Sequence, residues 1–333
     1  MSKKKVLITG GCGFIGHHMV EHLIKNTDWD IYVLDKLTYA SDGFDRLRDI
    51  DCFDISRVMT LATDFTNPLP VGVISELGDI NYIIHMGAET HVDNSIVDPG
   101  PFVMSNVVGT MHILDYARKL SDKGVLEKMI YFSTDEVFGP APDGVAYKEW
   151  DRYNSSNPYA AAKAGGEELC MAYANTYKIP IMVTHTMNAF GERQHPEKFI
   201  PMIIKKVLLG EDMIIHADAT KTRPGSRFYI HCRNIASAID FLLKNGESRD
   251  KYNIVGEKEV NNLEMAQFIA DVIGKPLKYE LVDFHSSRPG HDLRYALDGT
   301  KMSNMGWDVP VSFEDSLEKT VNWMLERKQW IGL

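Results

Sequence analysis

Six short apolar runs separated by longer helical stretches limit what this chain can fold into. They cover residues 5–9, 31–35, 58–62, 82–86, 128–133 and 181–185, and they are rich in Val, Ile and aromatic side chains. Runs of this length without polar alternation read as strands buried on both faces. Helical stretches at 14–25, 102–120 and 159–177 lie between them. Such alternation, with no long meander, gives an α/β fold: a doubly wound parallel sheet with right-handed crossovers. After Asn188 the rhythm loosens, and Pro196, Pro201, Pro224, Pro289 and Pro310 punctuate the chain. A strand over 227–236 and a helix over 235–244 are still expected there. The chain is therefore expected to leave the main sheet near Asn188, return near Phe228 and leave again near Asn253. The excursions, 188–227 and 254–333, would form a smaller C-terminal α/β lobe on a domain made of 1–187 and 228–253.

The first strand runs into Gly10-Gly11-Cys12-Gly13-Phe14-Ile15-Gly16, which opens the first helix. Glycines at this spacing allow a tight turn, close backbone approach to a pyrophosphate, and close helix–sheet packing. The pyrophosphate would sit on N–H groups at the positive end of the helix. Asp35 ends the second strand 19 residues after Gly16. A carboxylate there accepts bonds from a ribose 2′-OH and repels a 2′-phosphate, so the turn implies a Rossmann-type domain binding NAD. A plain βα turn with a surface Asp is the bland alternative, and Lys36 beside Asp35 keeps NADP open.

Two further segments should face the same crevice, because ligands of parallel sheets bind beyond the carboxyl ends of strands. Ser133-Thr134-Asp135-Glu136 ends a central strand, and Tyr159 and Lys163 open the next helix at i, i+4 spacing, on one face. A phenol with a pKa near ~10 is a poor base at neutral pH. A neighbouring ammonium and a nicotinamide cation would favour the phenolate, and lowering the pKa by about 3 takes roughly 4 kcal/mol. Tyr159 could then remove a hydroxyl proton as the substrate is oxidised. By itself Y-x-x-x-K is a surface helical pair; the glycine turn and the strand end reverse that reading.

The chain resembles the extended short-chain dehydrogenase/reductases, and within them the nucleotide-sugar 4,6-dehydratases, especially those acting on dTDP-glucose. The segments that carry the resemblance are LITGGCGFIG, VLDKLTYA, HMGAETHVDNSI, FSTDEVFG, NPYAAAKAGGEEL, HPEKFIP and RPGHDLRYALD, spread over residues 7–298. It implies conversion of an NDP-hexose to the NDP-4-keto-6-deoxyhexose, with Glu136 the base at C5, Asp135 the acid at C6 and Thr134 bonded to the C4 oxygen. Two adjacent carboxyls with separated pKa values suit those two roles. It also implies that NAD touches Gly10, Gly13, Phe14, Ile15, Gly16, Asp35, Lys36, Thr38, Asp64, Phe65, Met86, Gly87, Ala88, Thr90, Asn106, Ser133, Tyr159 and Lys163. The nucleotide sugar would contact His91, Thr134, Asn188, Glu197, Lys198, Arg227, Asn262, Arg288 and His291, and the lobe would bind the nucleotide. An epimerase or decarboxylase on nucleotide sugars is the alternative; the Asp135-Glu136 pair directly after Thr134 favours dehydration.

Departures from the family pattern leave the base open among thymidine, uridine, cytidine and guanosine. The stretch Arg227-Phe228-Tyr229-Ile230-His231-Cys232-Arg233-Asn234 stands where relatives carry an Arg-Asp, aromatic, Tyr-Val-Asp-Asp-like run. Residues 216–226, with Lys221 and Arg223, form a longer preceding segment, and Met187 and Ala189 flank Asn188. The resemblance further implies a homodimer paired through the helices 102–120 and 159–177, for which Met104, Val107, Val108, Met111 and Leu114 could form a stripe. The same stripe could equally face the sheet.

Composition narrows the remaining classes. A formal net charge of −10 argues against non-specific nucleic-acid binding. No run of 18 apolar residues is present, so no membrane span is expected. The N-terminal Met-Ser-Lys-Lys-Lys has no apolar region of the export type. The cysteines Cys12, Cys52, Cys170 and Cys232 form no C-x-x-C pair, so neither a metal site nor a disulfide framework is expected, and a reducing cytoplasm fits.

Overall fold

The computed structural model describes residues 3–283 and 294–333. Its strands, in chain order, are β1 (Lys5–Thr9), β2 (Asp30–Asp35), β3 (Val58–Ala62), β4 (Tyr82–His85), β5 (Lys128–Thr134), β6 (Ile181–Thr186), β7 (Asn188–Phe190), β8 (Met213–Ala217), β9 (Ser226–His231), β10 (Lys251–Ile254), β11 (Glu259–Asn261) and β12 (Tyr279–Asp283). Seven of them make one sheet in the order β3-β2-β1-β4-β5-β6-β10, with every neighbouring pair parallel. The order reverses between β1 and β4, which opens a crevice at their carboxyl ends.

Successive strand side chains point to opposite faces, so each strand feeds two cores. Val6 and Ile8 of β1 join Met19, Val20 and Leu23 of the Phe14–Asn26 helix and Ile235, Ile239 and Leu242 of the Cys232–Asn245 helix. Leu7 points the other way, toward Ile113, Leu114 and Ala117 of the Thr110–Asp122 helix and Cys170 and Ala174 of the Pro158–Tyr177 helix. A third cluster holds the C-terminal elements together, with Ile203, Ile204, Ile215, Ile269, Leu317 and Val321 at its centre. Fully burying one such side chain is worth about 1.5–3 kcal/mol.

Three expectations need correction. The strand expected over 227–236 stops at His231, because the His231 ring accepts from Arg233 N and starts the Cys232–Asn245 helix. The return near Phe228 is not to the main sheet: β9 lies in a separate three-stranded sheet, β11-β9-β7, and the main sheet regains the chain at β10 beside β6. The helix expected over 102–120 is interrupted, with a π turn at Met104–Gly109 between Gly100–Val103 and Thr110–Asp122. Within that turn the Asn106 amide exchanges hydrogen bonds with both Glu89 N and Glu89 O, at 2.9 Å each. The wider turn thus ties the helix to the loop after β4. Leu114 is completely buried against the sheet and Val107 packs beside Phe102 and Tyr159, so the proposed stripe does not form one exposed face.

The carboxyl ends of β1 and β4 are joined by a buried chain of hydrogen bonds. Thr110 Oγ1 donates to Asn106 O (2.8 Å), so it accepts from His85 Nε2 (3.1 Å). His85 Nδ1 then accepts from Thr9 Oγ1 (2.6 Å), which in turn accepts from Gly87 N (3.0 Å). The chain closes only with a neutral imidazole protonated on Nε2. Burial, and then the charge of Lys163, push His85 down to about 3. Burial likewise holds His17 and His18 well below the usual histidine range. These folded-state values lie below the unfolded value, so the unfolded chain binds more protons. Their stabilising contribution is complete above about pH 6.5 and is lost as pH falls toward about 3. A single histidine of this kind costs about 2 kcal/mol between pH 7 and pH 5. Urea unfolding at the two pH values should show at least that loss; equal midpoints would contradict the neutral-histidine assignment.

Candidate active site

The turn after β1 brings three backbone segments to contact distance. Gly10 has φ +71°, and a Cβ on it would lie 2.7 Å from Gly87 Cα. A Cβ on Gly16 would lie 2.1 Å from Gly10 O. The Phe14–Asn26 helix begins at Gly13 with no side-chain cap, so its first N–H groups face the crevice. Asp35, at the end of β2, accepts from Cys12 N (3.0 Å) and Leu37 N (2.9 Å), which holds its carboxylate beside the turn. Burial pushes that carboxyl up, against the pull of these bonds and of Arg46 and Lys36. Lys36 Nζ is paired with Glu89 at 2.9 Å and so is not held ready for a 2′-phosphate. The cradle fits a dinucleotide of the NAD type, with its pyrophosphate on the glycine turn and its ribose on Asp35.

The turn opens into a cavity of about 580 Å³ that extends under the C-terminal elements. Every residue expected to touch NAD lies on its wall except Asp64 and Asn106. Asp64 is exposed and accepts from Thr66 N (2.9 Å), while Asn106 acts one layer back, through Glu89. Thr134, Glu136, Tyr159 and Lys163 come together on the wall at the ends of β5 and the following helix. Asn157, the cap of that helix, donates to Glu136 Oε2 (3.0 Å) and accepts from Ala160 N (2.8 Å), so it joins the two segments.

Asp135 does not line the cavity. It is buried behind Thr134, whose Oγ1 donates to Asp135 Oδ1 at 3.0 Å, and among the described residues Oδ2 has no hydrogen-bond partner. Burial first, and then the charge of Glu136, push Asp135 up to about 7. The expected phenolate is not favoured by the chain alone. Burial, followed by Glu136, raises the Tyr159 phenol well above its usual range, and its hydrogen bond with the Thr134 side chain opposes this only in part. Lys163 donates to Phe132 O (2.7 Å) and lies 4.2 Å from the centre of the Tyr131 ring, and burial pushes it down to about 8.

Of the residues expected at the substrate, His91, Asn188, Glu197, Lys198, Arg227 and Asn262 share the cavity wall. Arg288 and His291 lie outside the described residues. The Arg227 guanidinium stacks on Tyr295 at 4.6 Å, and Tyr229 OH donates to Asn262 Oδ1 (2.9 Å). In the segment 216–226 only His216 reaches the wall; Arg223 pairs with Asp143 at the surface. Sequence reasoning missed Tyr39, Gln194, His195, Met202, Tyr229 and Tyr295 as wall residues. They come from five separated segments; Tyr39, His195 and Tyr295 lie in segments that carry the resemblance, but nothing in their spacing marks them as wall residues.

The family model described as GDP-mannose 4,6 dehydratase matches residues 7–320. The dTDP-glucose 4,6-dehydratase of Salmonella typhimurium is 35% identical over 98% of this chain and 94% of its own length. A trifunctional Arabidopsis thaliana protein, named in part UDP-glucose 4,6-dehydratase, is 35% identical over 99% of this chain, which spans 48% of that protein. The crystal structure of a dTDP-glucose 4,6-dehydratase from Streptomyces venezuelae with NAD bound superposes with a TM-score of 0.87, at 32% identity over 98% of each chain.

Gly16→Ala should weaken NAD binding at least tenfold, because the added methyl has only the backbone of the turn to displace. Gly72→Ala, where the methyl meets nothing within 4 Å, should leave binding unchanged. Equal NAD titrations for the two variants would remove the turn from the cofactor site.

Proposed function

Because this chain belongs to the GDP-mannose 4,6 dehydratase family, we propose that it is an NAD-dependent nucleotide-sugar 4,6-dehydratase, a hydro-lyase that forms a 4-keto-6-deoxyhexose. The observation that carries this reading is the carboxyl pair Asp135-Glu136. The two groups are adjacent in sequence but unlike in surroundings, and they stand beside Tyr159 and Lys163 above a dinucleotide cradle. Bound NAD would supply a reversible two-electron oxidation, with the electrons taken at sugar C4 returned at C6. Tyr159 takes the proton of the C4 hydroxyl, whose oxygen Thr134 holds by a hydrogen bond. Lys163, together with the cofactor's positive ring, offsets the burial that keeps the phenol protonated in the chain alone. The new carbonyl acidifies C5, and Glu136, open to the cavity, removes that proton. Once the protonated Tyr159 holds the C4 oxygen, Asp135, which keeps its proton up to about pH 7, donates to Thr134 Oγ1 with the Thr134–Asp135 bond reversed, and the Thr134 proton passes to the departing C6 hydroxyl.

The substrate we assign is dTDP-glucose, held through its diphosphate by Arg227 and Lys198. With its carbonyl oxygen occupied by Tyr229, the Asn262 amide keeps its NH₂ as a donor for the nucleotide. UDP-glucose is the competing substrate, since a relative of equal identity bears that name. We further assign a homodimer, on the exposed apolar side chains Val97, Val103 and Met104, which lie near the amino end of the broken helix. No helix among the described residues is long and apolar enough to cross a membrane. The four cysteines are buried free thiols, in keeping with the reducing cytoplasm we assign.

Incubation with dTDP-, UDP-, CDP- and GDP-hexoses, followed by mass spectrometry, should show loss of one water, with dTDP-glucose the best substrate. No dehydrated product from any of the four would overturn the reading, and C4 inversion without water loss would establish an epimerase. Glu136→Gln should retain NAD yet exchange C5 hydrogen with solvent at least about 100-fold more slowly. Undiminished exchange would remove Glu136 as the base. Since Asp135 must carry its proton to act as the acid, kcat should fall as pH rises above about 7; a rate still rising through pH 9 would contradict that role.

A further inference from the structure

Glu167 is among the buried acids that the chemistry above leaves unused. Glu167 lies one turn beyond Lys163 on the Pro158–Tyr177 helix and is 0% exposed. Its Oε1 accepts from Ser133 Oγ, on the cavity wall. Its Oε2 accepts from Tyr153 OH and lies 3.1 Å from His185 Nε2 and 3.7 Å from Lys251 Nζ. A second layer fixes these partners. Asn253 Nδ2 donates to Tyr147 O (3.0 Å) and Asp298 O (3.1 Å), which turns its Oδ1 toward His185 Nδ1 at 3.0 Å. A buried carboxylate therefore stands between two lysines, Lys163 facing the cavity and Lys251 on β10 behind it. Burial pushes the Glu167 carboxyl up, but His185, Lys251 and Ser133 together bring it below the usual carboxylate range.

We propose that Glu167 is a positioning residue for this site, acting through Lys163, whose ammonium it keeps charged, and through Ser133, whose strand end it holds against the helix. The proposal rests on the assignment of Tyr159 and Lys163 to the oxidation step. Lys163 is faced by Tyr159, Glu167 and Cys170 on its own helix, by the Tyr131 ring and Phe132 O on β5, and by His85 on β4. His185 on β6 and Lys251 on β10 stand behind Glu167, and Glu136 lies on the same cavity wall. Of these groups, Glu167 and then Cys170 favour the ammonium against burial. Burial keeps Cys170 a neutral thiol and His85 a neutral imidazole, which leaves the Glu167 carboxylate as the charge that offsets the desolvation of Lys163. Ser133 gives the same carboxylate a second role, because its neighbour Thr134 carries both the wall hydroxyl and the bond to Asp135.

The test is competitive acetylation of Lys163 across a pH series in cofactor-free protein, read by peptide mass spectrometry, since only the neutral amine reacts. The wild-type midpoint is expected near 8. In Glu167→Gln, which keeps the size and removes the charge, it should fall by about one pH unit. The kcat for the sugar should drop about tenfold, with KM within about threefold. Glu167→Asp should recover part of both changes. If Glu167→Gln does not fold, Lys251→Met approaches from the other side: with less positive charge behind the carboxylate, the Lys163 midpoint should rise. A midpoint unmoved in a folded variant of either kind would overturn the proposal. Because labelling needs no substrate, it tests Glu167 even if the chain proves not to dehydrate sugars, a result that would instead defeat the assigned activity.

Discussion

The approach of the first helix to the first strand sets the geometry of everything above it. Gly16 has no room for a methyl group against Gly10 O, and Gly10 has none against Gly87. Those contacts bring β1, β4 and the start of the Phe14–Asn26 helix together where the strand order reverses. The helix N-terminus then faces the crevice uncapped, and Asp35 is held beside it by Cys12 N and Leu37 N. The chain Gly87–Thr9–His85–Thr110–Asn106 locks the same strand ends from below, and it does so only while His85 stays neutral. Cofactor cradle and acid-sensitive stability thus share one set of contacts.

On that base, the site separates groups that are neighbours in sequence. Asp135 turns into the protein, where burial keeps its proton on to about pH 7, while Glu136 turns to the cavity and is held by Asn157. One strand end thereby carries two carboxyls in unlike surroundings, the arrangement that the proposed acid and base roles call for. Beside the same strand end lies a second buried polar network, in which Glu167, His185, Tyr153 and Lys251 satisfy one another. Tyr159 shows the converse: alone, the chain holds its phenol protonated, and in the proposed reaction the positive charge of bound NAD would favour its release.

What the sequence made legible was local. The six leading strands follow from apolar runs, and their bounds differ from the structure by at most a residue at either end. The i, i+4 spacing of Tyr159 and Lys163, and the glycine turn with Asp35, carry their geometry in their spacing. What escaped depends on tertiary contact. Lys251-Tyr252-Asn253-Ile254 reads as too polar for a sheet strand, yet its Lys and Asn side chains are buried in the network under β6. The π turn carries Asn106, whose amide bonds Glu89, a partner 17 residues away that no local pattern indicates. The orientation of Asp135, away from the cavity, is set by the 3₁₀ turn Asp135–Phe138, which a strand pattern does not foretell. Wall residues such as Tyr39, just after β2, and Tyr295, far along the chain, meet at one cavity only through tertiary packing.

The central claim is that oxidation at C4, loss of water across C5 and C6, and reduction at C6 occur at one place without release of the electrons. A hexose nucleotide carrying deuterium at C4, turned over in ordinary water, tests it in a single product spectrum. The expected product keeps the deuterium at C6 and carries a solvent hydrogen at C5. Deuterium lost to free cofactor, or still at C4 in a sugar that has not lost water, would contradict the claim.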